Sequence, residues 1–392
     1  MEQLALFKKK RLQAAMERHN LQALIASLPE NIYYLSGYES VGHRILNRTQ
    51  IFSLYVPAQD KLVLVIPTAE IPTAQERFPN TEMVAFGEFF FAFPPTGAEA
   101  ITEVIAARET NAGQALIKAL TACGIAAGRV GLDEGRTNPQ LWQSLAEAMP
   151  QVEWVPGAMV FNEARKVKHP DEVALLERAA EIAEEALLTA LAKVDVDTTE
   201  LDIERFYREE VSRRGADPYF GVFTIDERSA LADTINTSLA VREGSIIGCD
   251  FGCVYRGYRS DLARTAVFGK SEAKVEEYYK AILVGEEKAV EGIRPGVPAE
   301  EIFHIAVNET KKAGIPHYRR HHCGHGIGLE TYDFPSIAPG VQMPLEAGMV
   351  LCIETPYYEI GWGGVQVEDA VLVTEKGARY LSKSSRELIR LG

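Results

Sequence analysis

Residues 244–268 read GSIIGCDFGCVYRGYRSDLARTAVF, and this stretch decides how the second half of the chain is built. Apolar runs flank the Gly-containing turn at Arg256–Tyr258, so the pattern predicts a strand, a turn and a return strand. Asp250 and Asp261 lie on either side of that turn, which brings both carboxylates to one region of the hairpin. A second strand pair at 349–373, MVLCIETPYYEIGWGGVQVEDAVLV, repeats the arrangement with Glu354 and Glu368. A carboxylate in an apolar strand is costly to bury without a cation, and four that converge repel one another strongly in a low-dielectric site.

Two helical patterns precede each hairpin. Val173, Leu176, Ala180 and Leu187 recur at helical spacing over Pro170–Lys193, and Ile203, Phe206 and Val211 over Leu201–Arg214. Ala273–Ile293 and Ala299–Ala313 do the same before the second pair. Both halves therefore share a helix-helix-strand-strand order, at the level of pattern and without a residue-level repeat. Upstream, an amphipathic start at Leu4–His19 and apolar runs at Leu21–Ala26, Ile51–Val56, Leu62–Ile66 and Val130–Leu132 predict a small α/β domain. The basic segment Asn162–Pro170 ends in a proline suited to open a helix and marks the boundary. The reading is an α/β (α+β) protein with domains over 1–160 and 165–392.

Composition narrows the partners. Asp plus Glu outnumber Lys plus Arg by 55 to 41, and the net charge of −14 repels phosphate backbones and anionic lipid. Neither nucleic acid nor a membrane is expected as a partner. Five scattered cysteines form no disulfide framework, and the basic residues of MEQLALFKKKR follow the apolar ones, the reverse of a secretory signal, so a cytoplasmic location is expected.

His325, in HHCGHGIGLE, joins the four acids as a nitrogen donor, with Gly324, Gly326 and Gly328 letting the backbone approach a packed site. Four carboxylates and an imidazole suit two divalent ions of hard to borderline character, with Mn²⁺, Co²⁺, Fe²⁺ or Zn²⁺ as candidates. Such a pair activates water and polarises a carbonyl oxygen, the equipment of a metal-assisted hydrolase. The plainer reading, carboxylates satisfied by Arg or backbone N–H, accounts less well for the joint pattern. Cys249, Cys323 and Cys352 read as small apolar filling beside these positions, and His322 as an ordinary loop histidine. Glu88–Pro95, EFFFAFPP, reads as buried strand and turn ahead of an aromatic lip over a neighbouring subunit. Asn47-Arg48-Thr49 has the form of a glycosylation site that a cytoplasmic chain would not use.

The order Asp250, Asp261, His325, Glu354, Glu368, with GHGIGLE around the histidine and VQVEDAVLVT around the last glutamate, resembles the M24 metallopeptidase family. Residues 11–40, RLQAAMERHNLQALIASLPENIYYLSGYES, resemble the creatinase/prolidase N-terminal domain, and ARKVKHPDEVALLERAAEIAEEAL the usual entry into the catalytic one. The resemblance implies a pita-bread catalytic domain, those five residues as metal ligands with Asp250 and Glu368 bridging, Glu354 as general base, and a homodimer. It also implies that His321 contacts the substrate, and Tyr332 beside it is read as a hydrogen-bond donor that helps steady the substrate or oxyanion.

Some positions depart from the family pattern. Asp233, in ALADT, stands where a histidine is usual; Tyr332, in TYD, replaces a second histidine; Ser336 and Gln366 replace arginines. Asp233 is read as a substrate contact for a cationic or amide-bearing group. The expected activity is hydrolysis of an amide C–N bond, as in Xaa-Pro dipeptidase or aminopeptidase. A non-peptide hydrolase of the creatinase or ectoine hydrolase type is the alternative, followed by a non-catalytic binding protein.

Overall fold

The computed structural model describes residues 2–46, 50–94 and 96–392, so the Asn47-Arg48-Thr49 site and Pro95 lie outside the described residues. The chain divides into two compact units, residues 1–164 and 165–392.

The first unit is a six-stranded mixed sheet flanked by helices. Its strands are β1 (Ala23–Ala26), β2 (Phe52–Val56), β3 (Lys61–Pro67), β4 (Glu82–Phe86), β5 (Gly128–Leu132) and β6 (Val152–Pro156), in the order β4-β3-β2-β1-β5-β6. The apolar runs read from the sequence form its centre, with Ile25, Leu54, Val63 and Val130 buried in one core. Glu88–Pro94 is neither strand nor core. Phe90 is 84% exposed, Phe89 and Phe93 are exposed too, and the rings of Phe89 and Phe91 lie against each other at 4.8 Å. Consecutive aromatics point in different directions, so a loop without strand neighbours leaves them packed on one another and open to solvent.

The second unit begins at Arg165. Pro170 opens the helix Pro170–Leu191, capped by His169, and a second helix spans Glu200–Arg213. The buried face of the second is Ile203, Tyr207 and Val211; Phe206, expected there, lies outside it with the cations of Lys193 and Arg205 over its ring. An i, i+4, i+8 stripe favours Tyr207 over its neighbour. Helices Ala273–Gly292 and Ala299–Ala313 follow in the second half.

The strands are β7 (Asp217–Ile225), β8 (Ile246–Tyr255), β9 (Tyr258–Arg259), β10 (Leu262–Phe268), β11 (Gly324–Gly326), β12 (Asp333–Ser336), β13 (Val350–Glu354), β14 (Tyr357–Glu359), β15 (Gly363–Val365), β16 (Glu368–Thr374), β17 (Gly377–Tyr380) and β18 (Ile389–Leu391). The main sheet runs β12-β11-β13-β16-β10-β8-β7 and is antiparallel along that path. The two hairpins read from the sequence, β8–β10 and β13–β16, thus sit side by side at its centre. Arg256 and Gly257 close the first with φ of 50° and 83°, the left-handed pair that matches the twist of a two-residue hairpin loop.

Alternation decides which side of the sheet is wet. Leu351, Ile353, Val371 and Val373 pack into one core with Val275, Ile282, Ile302 and Phe303 of the second helix pair. The residues between them on β13 and β16 therefore point away from those helices, and a shift of one residue would exchange the two sets.

Candidate metal centre

Ala263 on β10 pairs with Asp250 of β8 on one side and with Glu368 of β16 on the other, and Glu368 pairs in turn with Glu354 of β13. Directly opposed residues share a face, so Asp250, Ala263, Glu368 and Glu354 form one cross-strand row. Asp261 precedes Ala263 by two residues and points the same way. His325 on β11 stands opposite Cys352, two residues before Glu354. The register thus gathers the five donors on the face that the helices leave free.

A single donor atom each from Asp261, His325 and Glu368 lies within 4.8 Å of the others, and all three residues are buried. His325 Nδ1 lies 3.0 Å from the Gly326 carbonyl. A carbonyl can only accept, so Nδ1 carries the hydrogen and Nε2 presents a lone pair. That lone pair faces Asp261 Oδ2 at 3.7 Å and Glu368 Oε1 at 3.9 Å, and burial pushes the imidazole pKa down and favours its neutral form. Three potential ligand atoms converge, and among the described residues Glu368 Oε1 is buried without a hydrogen-bond partner.

Two charged groups hold the row from its edges. Arg264, buried on the opposite face, donates to the Glu368 carbonyl at 2.8 Å and pairs with Asp369 at 2.8 Å, fixing the backbone that carries Glu368. Arg320 reaches Glu354 Oε2 at 3.0 Å, and His322 Nδ1 lies 3.1 Å from Glu354 Oε1. Burial, followed by Arg320, brings the His322 pKa down to about 4.

Electrostatics shows what such a row requires. Burial, then the nearby Glu354 and Asp233, raise Asp250 from the usual carboxylate range to about 7. Burial and the neighbouring carboxylates push Asp261 and Glu368 well up as well. At an effective dielectric constant of 20, each like-charged pair 4–5 Å apart costs roughly 3–4 kcal/mol. A few such pairs would rival the roughly 5–15 kcal/mol that holds a whole domain together. Divalent cations remove that cost, and oxygen donors with one imidazole nitrogen suit ions of hard to borderline character. The residues fit a divalent metal centre.

The row faces a cavity of about 890 Å³. Asp233, Asp250, Asp261, His325, Tyr332, Glu354 and Glu368 all line it, together with Tyr219, Phe220 and Ile235. Tyr332 is 66% exposed and its ring lies over His325 with centroids 4.0 Å apart. Three other positions lie elsewhere. His321 is exposed and outside the lining residues, its ring edge-on to His322 at 4.3 Å. Ser336 is exposed on β12. Gln366 is buried and its Oε1 accepts from Tyr358 at 3.2 Å. Asp333, next to Tyr332, is closed off: Arg165 donates to its carboxylate and Lys168 Nζ lies 3.4 Å away. Burial alone would raise this carboxylate, but Arg165 and Lys168 together outweigh it and hold the pKa below the usual range.

Arg320 and His322 are the site neighbours that the sequence reading missed. The chain reaches β11 only at Gly324, so the period-two alternation that orients His325 does not extend back to His321. The run RRHH offered a basic signal, but nothing local said that its second and fourth members would meet Glu354.

Fold and site together define a metallohydrolase. The chain belongs to metallopeptidase family M24, whose model matches residues 174–375, with a creatinase/prolidase N-terminal domain matched over residues 8–167. The catalytic unit accordingly has the pita-bread fold and works with divalent metal ions. A Xaa-Pro dipeptidase of Pyrococcus furiosus is 28% identical over 376 residues, 95% of this chain and 97% of that protein. The solved prolidase of Pyrococcus horikoshii OT3 is similar with a TM-score of 0.80 at 25% identity, over 97% of this chain and 99% of its own. The Xaa-Pro dipeptidase of Bacillus anthracis shares the fold with a TM-score of 0.83 at 23% identity, over 99% and 100% of the two chains. All five cysteines are buried and free, and no helix among the described residues is long and apolar enough to cross a membrane.

Proposed function

We propose that this chain is a cytoplasmic, homodimeric Xaa-Pro peptidase that holds two Mn²⁺ ions on Asp250, Asp261, His325, Glu354 and Glu368. The observation that carries the reading is the single row of carboxylates with the His325 lone pair beside it, opening on one large cavity. The Xaa-Pro dipeptidase and prolidase names of the relatives support the substrate class. Divalent ions bound there would acidify water and polarise the scissile carbonyl.

The chain's own groups supply the rest. Glu354, steadied by Arg320 and His322, takes a proton from the attacking water and returns it to the leaving nitrogen. Tyr332 offers a phenol to the developing oxyanion; burial, then the surrounding carboxylates, raise its pKa, so it stays a donor at neutral pH. His321, exposed beside His322, would contact the substrate only at the mouth of the site.

Hydrolysis of Xaa-Pro dipeptides, longer Xaa-Pro peptides and non-proline dipeptides by Mn²⁺-loaded protein, with Glu354→Gln as control, tests the assignment. Cleavage confined to Xaa-Pro bonds and lost in the control is the expected result. Failure to cleave any of them by protein that holds two ions would overturn it. One observation favours a small non-peptide amide as the second reading: no Lys or Arg is among the lining residues to receive a dipeptide's free carboxylate.

A further inference from the structure

Asp233 is the one acidic lining residue that stands outside the five-donor set. Its carboxylate makes no hydrogen bond or ion pair among the described residues, yet the segment carrying it is pinned. Arg228 donates to Thr234 Oγ1 at 3.2 Å and to the Ile235 carbonyl at 2.6 Å. Asn236 accepts from the Phe223 N–H at 2.7 Å and donates to the Gly221 carbonyl at 2.8 Å. Asp233 is exposed to the cavity, and the residues that follow it, Thr234 to Asn236, are held in place, so its carboxylate is presented to whatever enters.

The charges around it are one-sided. Three basic groups beside lining residues are committed to other partners: Arg228 to Glu200 and the loop, Arg320 to Glu354, and Arg259 over the Tyr219 ring at 4.8 Å. Two divalent ions would neutralise the four carboxylates of the donor set and leave Asp233 as the uncompensated charge on the wall. Tyr219, Phe220 and Ile235 share that wall, an apolar surface on which the stem of a long basic side chain can lie.

We propose that Asp233 is a specificity residue that receives an ammonium or guanidinium group of the substrate and disfavours a free carboxylate at the same place. The inference rests on reading this cavity as the substrate site of an amide hydrolase.

The test uses two amides matched in length, Lys-Pro-amide and norleucyl-Pro-amide, which differ in the ε-ammonium. Calorimetric binding is measured on Mn²⁺-loaded Glu354→Gln protein whose metal content, by elemental analysis, matches the loaded wild type, and on the same protein carrying Asp233→Asn; cleavage is measured separately on the Mn²⁺-loaded wild type. The lysyl amide is expected to bind about tenfold more tightly. Asp233→Asn should close that gap, and added salt should narrow it. Equal affinities, no binding of the lysyl amide, or a preference that survives Asp233→Asn would each overturn the proposal. Cleavage separates this from the peptidase reading. Norleucyl-Pro-amide cut as readily as the lysyl amide, with equal binding, sinks the role of Asp233 alone; a lysyl preference in binding with neither amide cut, and with the free dipeptides Lys-Pro and norleucyl-Pro also uncut, sinks the peptidase reading alone.

Discussion

Glu354 and Glu368 stand directly opposite each other on β13 and β16, in the row that continues through Ala263 to Asp250. Opposed side chains on neighbouring strands have Cβ atoms roughly 4.5–5.5 Å apart, so two ionised glutamates in that register are destabilising unless a cation lies between them. Arg320 on one glutamate and Arg264 on the backbone of the other keep the pair from swinging apart. Ala263 is the row's only small member, and its short side chain leaves the space between Asp250 and Glu368 open.

Ala263→Leu should fill that space. Overpacking of this kind costs about 1–3 kcal/mol, so the protein should still fold while its metal content falls, as measured by elemental analysis after gel filtration. Wild-type metal content in a folded Ala263→Leu protein would show that the ions lie elsewhere.

Chelator-treated protein should lose stability as pH rises, opposite to the usual behaviour of a paired carboxylate. Asp250 is raised from 3.8 to about 7 in the folded chain, with Asp261 and Glu368 shifted in the same direction. Between those values the native state binds more protons than the unfolded state, so stability falls across the window and the loss is complete above it. Asp202 and Glu210, held down to about 2, titrate below the window, whereas His322, held down to about 4, and His325, also lowered, oppose the fall below about pH 6.5. Thermal melts at about pH 6.5 and about pH 8.5, above the histidine range, should therefore differ for the metal-free protein and converge for the loaded one.

Arg320→Met should lower kcat by roughly 10- to 100-fold with a small change in KM, because Glu354 loses the group that orients it. Arg320→Lys should recover part of the rate. Elemental analysis should find the metal content retained in both; loss of metal would mean that Arg320 supports the ligands rather than the proton transfer.

Tyr332 and Asp333 are adjacent, yet they should separate cleanly. Tyr332→Phe, at a ring 66% exposed, should cost about 10²–10³ in kcat and little stability. Arg165→Met should cost about 3–5 kcal/mol in urea unfolding, since it strips a buried carboxylate of its main partner. Asp333→Asn should likewise lower stability more than turnover.

The acid-bearing strands were legible because burying charge is expensive: Asp250, Asp261, Glu354 and Glu368 stand out in runs that otherwise read as core. The hairpin turn at Arg256-Gly257 and the helix start at Pro170 were legible for equally local reasons. The partners of Asp333 were not, because Arg165 is 168 residues away in sequence and only the fold brings the two together. The exposure of Phe89 and Phe90 escaped a reading based on composition, since apolarity says nothing of whether a neighbouring strand exists to cover a loop. Tyr207 in place of Phe206 shows the resolution of periodicity, which locates a helix face to within one residue.

In the function proposed above, one cross-strand row, with Asp261 and His325 beside it, holds two metal ions. Calorimetric titration of the chelator-stripped protein with Mn²⁺ tests it most directly, with Glu368→Ala alongside. Two ions per chain are expected in the wild type and at most one in Glu368→Ala. Fewer than two ions in the wild type, or two in Glu368→Ala, would contradict the proposal.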